Sequence, residues 1–179
     1  MRFKFGQRLL FLAIGSGLFL GMYSAGAAEK LTPQEAAEVR DQFSNQIKKI
    51  DEFGIFVNNM QITLGMFIPG AGVAIGSLSG YMTGNVFSAI AQNTPALKNV
   101  PPQIILATPF GAMELFAYGL AMSRSGLLVY QMVRKKPWRQ YALATGIELG
   151  IAAAVLFAGA MVEWWMIQQY GGLNLEPGI

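Results

Sequence analysis

The chain contains neither cysteine nor histidine. A disulfide framework, a thiolate nucleophile, a Ser-His-Asp triad, the usual zinc sites and a histidine-ligated haem are thereby excluded within it. Carboxylates, hydroxyls and amines remain as the chemical repertoire. No nucleophile and base pair stands out among them, so a protein without catalytic residues, metal or cofactor is expected. Charge is scarce as well: 13% of the 179 residues are charged and 53% are hydrophobic, and the mean hydropathy is +0.39. Soluble domains carry roughly twice that charged fraction. The net charge of +3 is no argument for nucleic acid as a partner, because the cations cluster beside apolar segments, where they set membrane topology. One helical domain with the bilayer as its solvent is implied, since no polar stretch is long enough for a second core.

The first eight residues carry three cations, residues 9–23 are apolar, and Ala25-Gly26-Ala27 offers a small-x-small site. Residues 1–28 therefore read as a transmembrane anchor or as a signal peptide, and in both cases the segment after residue 28 is exported. Residues 29–52 form an exported amphipathic helix. Thr32, Pro33 and Glu35 give it a capping box, and Ala37, Val39, Phe43, Ile47 and Ile50 supply an apolar stripe that lies on the membrane or on a partner. Residues 53–179 form a four-helix membrane domain. Residues 53–92 are broken at Pro69-Gly70, because only two helices there keep both the N-terminus and the patch Arg134-Lys135-Lys136-Pro137-Trp138-Arg139 cytoplasmic. The fold expected is an all-α, polytopic helical membrane protein of about five transmembrane helices, over residues 9–26, 54–69, 72–92, 104–133 and 141–170. The fourth is breakable at Thr108-Pro109. Trp138, Tyr141, Trp164, Trp165 and Tyr170 fall near segment ends, where aromatic belts form.

Gly72, Gly76, Gly80 and Gly84 recur every four residues and share one helix face, a glycine ladder that lets another backbone approach closely; Gly146 and Gly150 repeat the spacing once. Glu114 and Glu148 lie deep in apolar segments. A lone charge there costs a few kcal/mol or more, so Glu114 is either neutral or partnered, and Tyr118, one turn away, is its local candidate. Glu163 reads as a solvated end residue. Asn58, Asn59, Gln61, Thr63 and Asn85 supply amides and a hydroxyl that bond across helices. Arg124 either pairs with Glu148 or snorkels to the cytoplasmic interface, and snorkelling is the favoured reading.

Phe56-Val57-Asn58-Asn59-Met60, the glycine-rich run to Gly84-Asn85, Thr108-Pro109-Phe110-Gly111-Ala112-Met113-Glu114 and Gly126-Leu127 together resemble the stage II sporulation protein M family. The most specific element is Pro-x-Gly-x-x-Glu, carried by Pro109, Gly111 and Glu114; family members typically have His where this chain has Phe110. The resemblance implies a five-helix integral membrane protein of the cell membrane. The founding member is a membrane scaffold for cell-wall hydrolases during engulfment of the forespore, and most relatives occur in organisms that make no spores. The expectation is a non-enzymatic membrane scaffold or accessory subunit, with the lipid bilayer, other membrane proteins and a second copy as candidate partners. The alternative is a transporter component that uses Glu114 and Glu148.

Overall fold

The computed structural model describes residues 5–47, 51–94, 97, 99–135, 137 and 139–170. Among them are six α-helices and no strand: α1 (Phe5–Ala27), α2 (Pro33–Ile47), α3 (Glu52–Met66), α4 (Ala71–Asn93), α5 (Pro109–Val133) and α6 (Arg139–Tyr170), with a 3-10 turn at Pro102–Ile104. Arg2 and Lys4, the expected end of the exported helix at 48–50, Pro95, Ala96 and Lys98 of the connector, Lys136 and Trp138 of the cationic patch, and the tail from 171 lie outside the described residues.

Both expected breaks are present, and each has a local cause. Between α3 and α4, Gly70 takes φ +84°, a left-handed conformation that a side chain disfavours. The Ser125 hydroxyl of α5 donates to the Ile68 carbonyl at 2.7 Å and pins this turn to the bundle. Before α5, the Thr108 side chain accepts from the Gly111 N–H at 3.1 Å, and Pro109 occupies the first helical position, where its missing N–H costs nothing.

Helix α2 starts on the expected capping box: the Glu35 N–H donates to the Thr32 hydroxyl at 3.3 Å, and the Thr32 N–H donates to the Glu35 carboxylate at 2.8 Å. It packs on α4 of the same chain, burying Ala36 and leaving Ala37, Val39 and Phe43 of the apolar stripe half-buried. Glu29 directs the chain back along α4, since its carbonyl accepts from Ser88 at 2.8 Å and its carboxylate accepts from Tyr81.

The centre of the bundle is α5, which packs on α1, α3, α4 and α6. Every residue from Ala117 to Ser125 is buried. Helix α1 fits between α4 and α5, burying Phe19 and Tyr23 completely. The four glycines of α4 meet three helices, α1, α3 and α5. A Cβ at Gly80 falls 2.9 Å from the Phe19 carbonyl oxygen, and one at Gly84 collides with the Tyr23 carbonyl, both on α1. A Cβ at Gly76 collides with Met122, and one at Gly72 lies 2.7 Å from Ser125 Cβ and overlaps the Met66 carbonyl. Gly15 of α1 meets α5 in the same way, 2.6 Å from the Gly119 carbonyl oxygen. Gly146 and Gly150 behave otherwise: nothing lies within 4 Å of a Cβ at either, so the expectation that they pack is corrected. Their face of α6 is open because α6 meets the bundle through Ala152, Leu156 and Ala160.

Two helical stretches are long and apolar enough to cross a bilayer, Gly6–Ala27 and Tyr141–Gln169. Their outward side chains include Leu10, Ile14, Leu143, Ile147, Ile151 and Phe157. An apolar face this continuous is a contact surface for lipid rather than for water.

This packing sets two measurable outcomes. Gly84→Ala is expected to lower unfolding stability in detergent by at least about 2 kcal/mol, since backbone faces the new methyl group and cannot rotate away, whereas Gly150→Ala stays within about 0.5 kcal/mol. Thermal unfolding followed by tryptophan fluorescence reads both. At the start of α2, the Thr32 hydroxyl and N–H hold the Glu35 carboxyl below the usual carboxylate range. A depressed folded value means that the cap stabilises α2 above the unfolded carboxylate pKa, about 4.3, and is lost as pH falls through the folded value. Hydrogen-exchange protection in the first turn of α2, taken relative to the intrinsic rate at each pH, should therefore fall on acidification, and Thr32→Ala should lower it already at neutral pH.

Candidate functional site

The polar residues of the bundle gather at two levels. The first lies toward the end where α1 begins. Glu148 of α6 accepts from Arg8 of α1 through Nε at 2.7 Å and Nη2 at 2.5 Å, and from Arg124 of α5 through Nε at 2.8 Å and through Nη2. Two planar guanidinium forks thus grip one carboxylate, the geometry in which arginine binds most strongly. Arg8 also donates to the Ser123 hydroxyl at 2.8 Å and to the Leu120 carbonyl at 3.3 Å. The side chains are 18% (Arg8), 6% (Arg124) and 13% (Glu148) exposed. Snorkelling of Arg124 is thereby corrected. Its side chain leaves the one helix that has neighbours on all sides, so no clear route to the interface exists, and Glu148 is the acceptor it meets.

Sequence reasoning missed Arg8 as a member of this cluster, because 140 positions separate it from Glu148. The only signal was a cation placed inside the first apolar helix rather than before it.

The second level lies toward the opposite end. Glu114 of α5 accepts from the Asn59 side-chain N–H of α3 at 2.5 Å. The bond runs across helices, and the local pairing expected with Tyr118 is replaced by it. Tyr118 is buried and packs its ring on Phe19, with centroids 5.1 Å apart. The reading of Glu163 as a solvated end residue is corrected: it is half-buried, because it continues the inward stripe of Ala152, Leu156 and Ala160. Asn58 and Gln61 are exposed and bond across no helix among the described residues; Asn58 donates only to its neighbour Asn59, at 3.3 Å. Thr63 is buried and donates to the Asn59 carbonyl of its own helix at 2.7 Å. Asn85 is half-buried, and its Oδ1 has no hydrogen-bond partner among the described residues.

The Pro109-x-Gly111-x-x-Glu114 element has a physical reading in this geometry. Pro109 opens α5, Gly111 admits the backbone of Ile105 and Leu106 beneath the first turn, and Glu114 is thereby presented to Asn59. A Cβ at Gly111 lies 2.9 Å from Leu106 Cα, so any side chain there displaces the turn.

The family model for stage II sporulation protein M matches residues 9–166, from α1 almost to the end of α6. The chain belongs to that family. No curated protein and no solved structure matches it. With its two helices of spanning length and apolar outer faces, this stage II sporulation protein M relative is a membrane protein. Among its described residues no group of three or more carboxylates is placed to hold a metal ion.

Within this family member the two levels differ in cost of disruption. Removing the only carboxylate of the Arg8–Glu148–Arg124 cluster leaves two partly buried cations together, and Glu148→Ala should cost about 3–5 kcal/mol. Glu114→Gln keeps a carbonyl oxygen for Asn59 and should stay within about 1 kcal/mol. Thermal unfolding of the two variants in one detergent makes the comparison.

Proposed function

We propose that the chain is a non-enzymatic membrane scaffold or accessory subunit with five crossings, its N-terminus cytoplasmic, which organises partners through the outward face of α2 and its lipid-facing helices. The carrying observation is that Glu148 and Glu114, the two carboxylates set deep in apolar segments, are both engaged in ties between helices. Glu148 joins α1, α5 and α6, and Glu114 joins α5 to α3. A carrier pathway through Glu114 and Glu148 calls for both in one cavity, and they are engaged instead with different partners at different depths.

Five crossings are supported by where α4 and α5 hide their polarity. Gly72, Gly76, Gly80 and Gly84 of α4 and Ser123, Arg124, Ser125 and Gln131 of α5 are all buried, while Leu78, Met82, Phe116 and Val129 face outward. Mean hydropathy counts the buried polar groups and so understates how apolar the outer surfaces are. Helix α3, with 15 residues, is about 22 Å long, short for a span and consistent with a crossing whose ends are sheltered by its neighbours. Retention of α1 as an anchor is favoured over cleavage, because its removal strips Phe19 and Tyr23 from the core and Arg8 from Glu148.

With its apolar stripe half-buried, α2 presents Gln34, Glu38, Asp41 and Asn45 to a partner. A transporter component is the second reading, favoured by two half-buried carboxylates, Glu114 on α5 and Glu163 on α6. A mild-detergent pull-down of the tagged chain from native membranes, analysed by mass spectrometry, separates the two. A scaffold retains a stoichiometric partner set that is lost with Glu38→Lys plus Asp41→Lys and kept with Glu114→Gln. A homo-oligomer without other proteins, whose ion or proton flux disappears with Glu114→Gln, overturns it.

A further inference from the structure

The Arg8–Glu148–Arg124 cluster does not balance. Two guanidinium groups, which stay protonated at any accessible pH, share one carboxylate, so the cluster carries at least one net positive charge within an apolar helix bundle. An unbalanced charge in such surroundings is costly and calls for an anion. Unspent donors are also present: Arg124 binds Glu148 through Nε and Nη2 alone, which leaves its Nη1 group without a hydrogen-bond partner among the described residues. Further along the same face of α5, seven residues on, Gln131 is 3% exposed and neither of its amide atoms is bonded. This seam of the bundle therefore holds more donors and more positive charge than its own chain satisfies.

Two further observations bear on the chemistry and source of the anion. Helix α1 begins at Phe5, so Arg8 lies about one turn, or roughly 5 Å, from its end. Where this end of α1 marks the membrane boundary, a headgroup rather than an acyl chain meets Arg8. Leu9 and Leu10 beside Arg8, and Leu143 and Ile147 of α6, are exposed and apolar, a surface for the chains of a lipid whose headgroup reaches the arginines. Arginine forks match the oxygens of a phosphodiester as well as those of a carboxylate.

We propose that Arg8 and Arg124, bridged by Glu148, form a binding site for a phosphate-bearing anion, supplied by the headgroup of an acidic phospholipid in the leaflet where α1 begins. The lipid completes the charge balance and fastens α1 to α6 at their open side. This site is independent of the scaffold reading and requires only that the helices lie in a membrane.

Native mass spectrometry of the full chain in neutral detergent tests it, with phosphatidylglycerol, phosphatidylcholine of the same acyl chains, and inorganic phosphate as separate additions. The wild-type chain should hold phosphatidylglycerol about tenfold more tightly than phosphatidylcholine, the scale of one charge-assisted hydrogen-bonded contact. Arg8→Gln removes the excess charge and should abolish that preference, whereas Glu148→Gln adds to it and should increase the preference. A purely structural cluster predicts instead that both variants lose lipid alike. The exposed cations of the α5–α6 turn provide a control that does not disturb the core: Arg134→Gln with Lys135→Gln should leave the preference in place. The wild-type and control measurements decide the matter even where Arg8→Gln does not fold. Equal retention of the two lipids, or loss of the preference in the Arg134 and Lys135 variant, overturns the site. Inorganic phosphate displacing phosphatidylglycerol at equal concentration overturns its assignment to a lipid.

Discussion

Helices surrounded by lipid gain nothing by hiding apolar surface from one another, so close backbone contact has to hold the bundle together. Here that contact is the seam where α1 lies against α4 and α5. Gly80 and Gly84 of α4 accept the backbone of α1, Gly26 of α1 accepts the Tyr81 carbonyl in return, and Gly15 and Gly119 do the same between α1 and α5. Other features of the structure rest on this approach. The complete burial of Phe19 and Tyr23 depends on it, and so does the reach of the Tyr23 hydroxyl to the Pro102 carbonyl at 2.9 Å, which anchors the turn before α5. Arg8 reaches Glu148 only because α1 is held this closely to α5. The first helix is therefore part of the core and not an appendage to it.

The features legible in the sequence are those that local chemistry decides. The breaks at Gly70 and Thr108-Pro109 and the capping box at Thr32 and Glu35 depend on residues within one turn of each other. The period of four in α4 is legible as a face, but spacing does not say what stands opposite that face. For this reason Gly146 and Gly150, with the same spacing, mislead: on α6 it is the stripe through Ala152, Leu156 and Ala160 that turns inward. Glu163 misleads through its place near a segment end, although it continues that stripe. Of the two partners of Glu148, Arg124, 24 positions away, is offered by the sequence only as an alternative to snorkelling, and Arg8, 140 positions away on α1, is linked to it by no single-sequence pattern. The resemblance to the stage II sporulation protein M family supplies what the periodicities cannot, namely that Pro109, Gly111 and Glu114 act together.

The two polar levels also carry different kinds of information. Near the start of α1 and the end of α5 the charged groups are mainly cations: Arg8 and Arg124 around Glu148, and Arg134 and Lys135 in the turn beyond. Near the start of α5 and the end of α6 they are carboxylates, Glu114 and Glu163, with Asn59 between helices. In a bilayer this distribution agrees with the rule that fixes orientation by cations on the cytoplasmic side. The cations at that end are thus partly the residues that tie the helices together. That level is also lopsided in charge, since among the described residues two arginines face one carboxylate. A bundle built only for stability would balance the cluster internally or replace it with apolar side chains, which is often neutral or favourable. Retaining one excess positive charge leaves that end with an electrostatic demand that an anion from outside the chain meets.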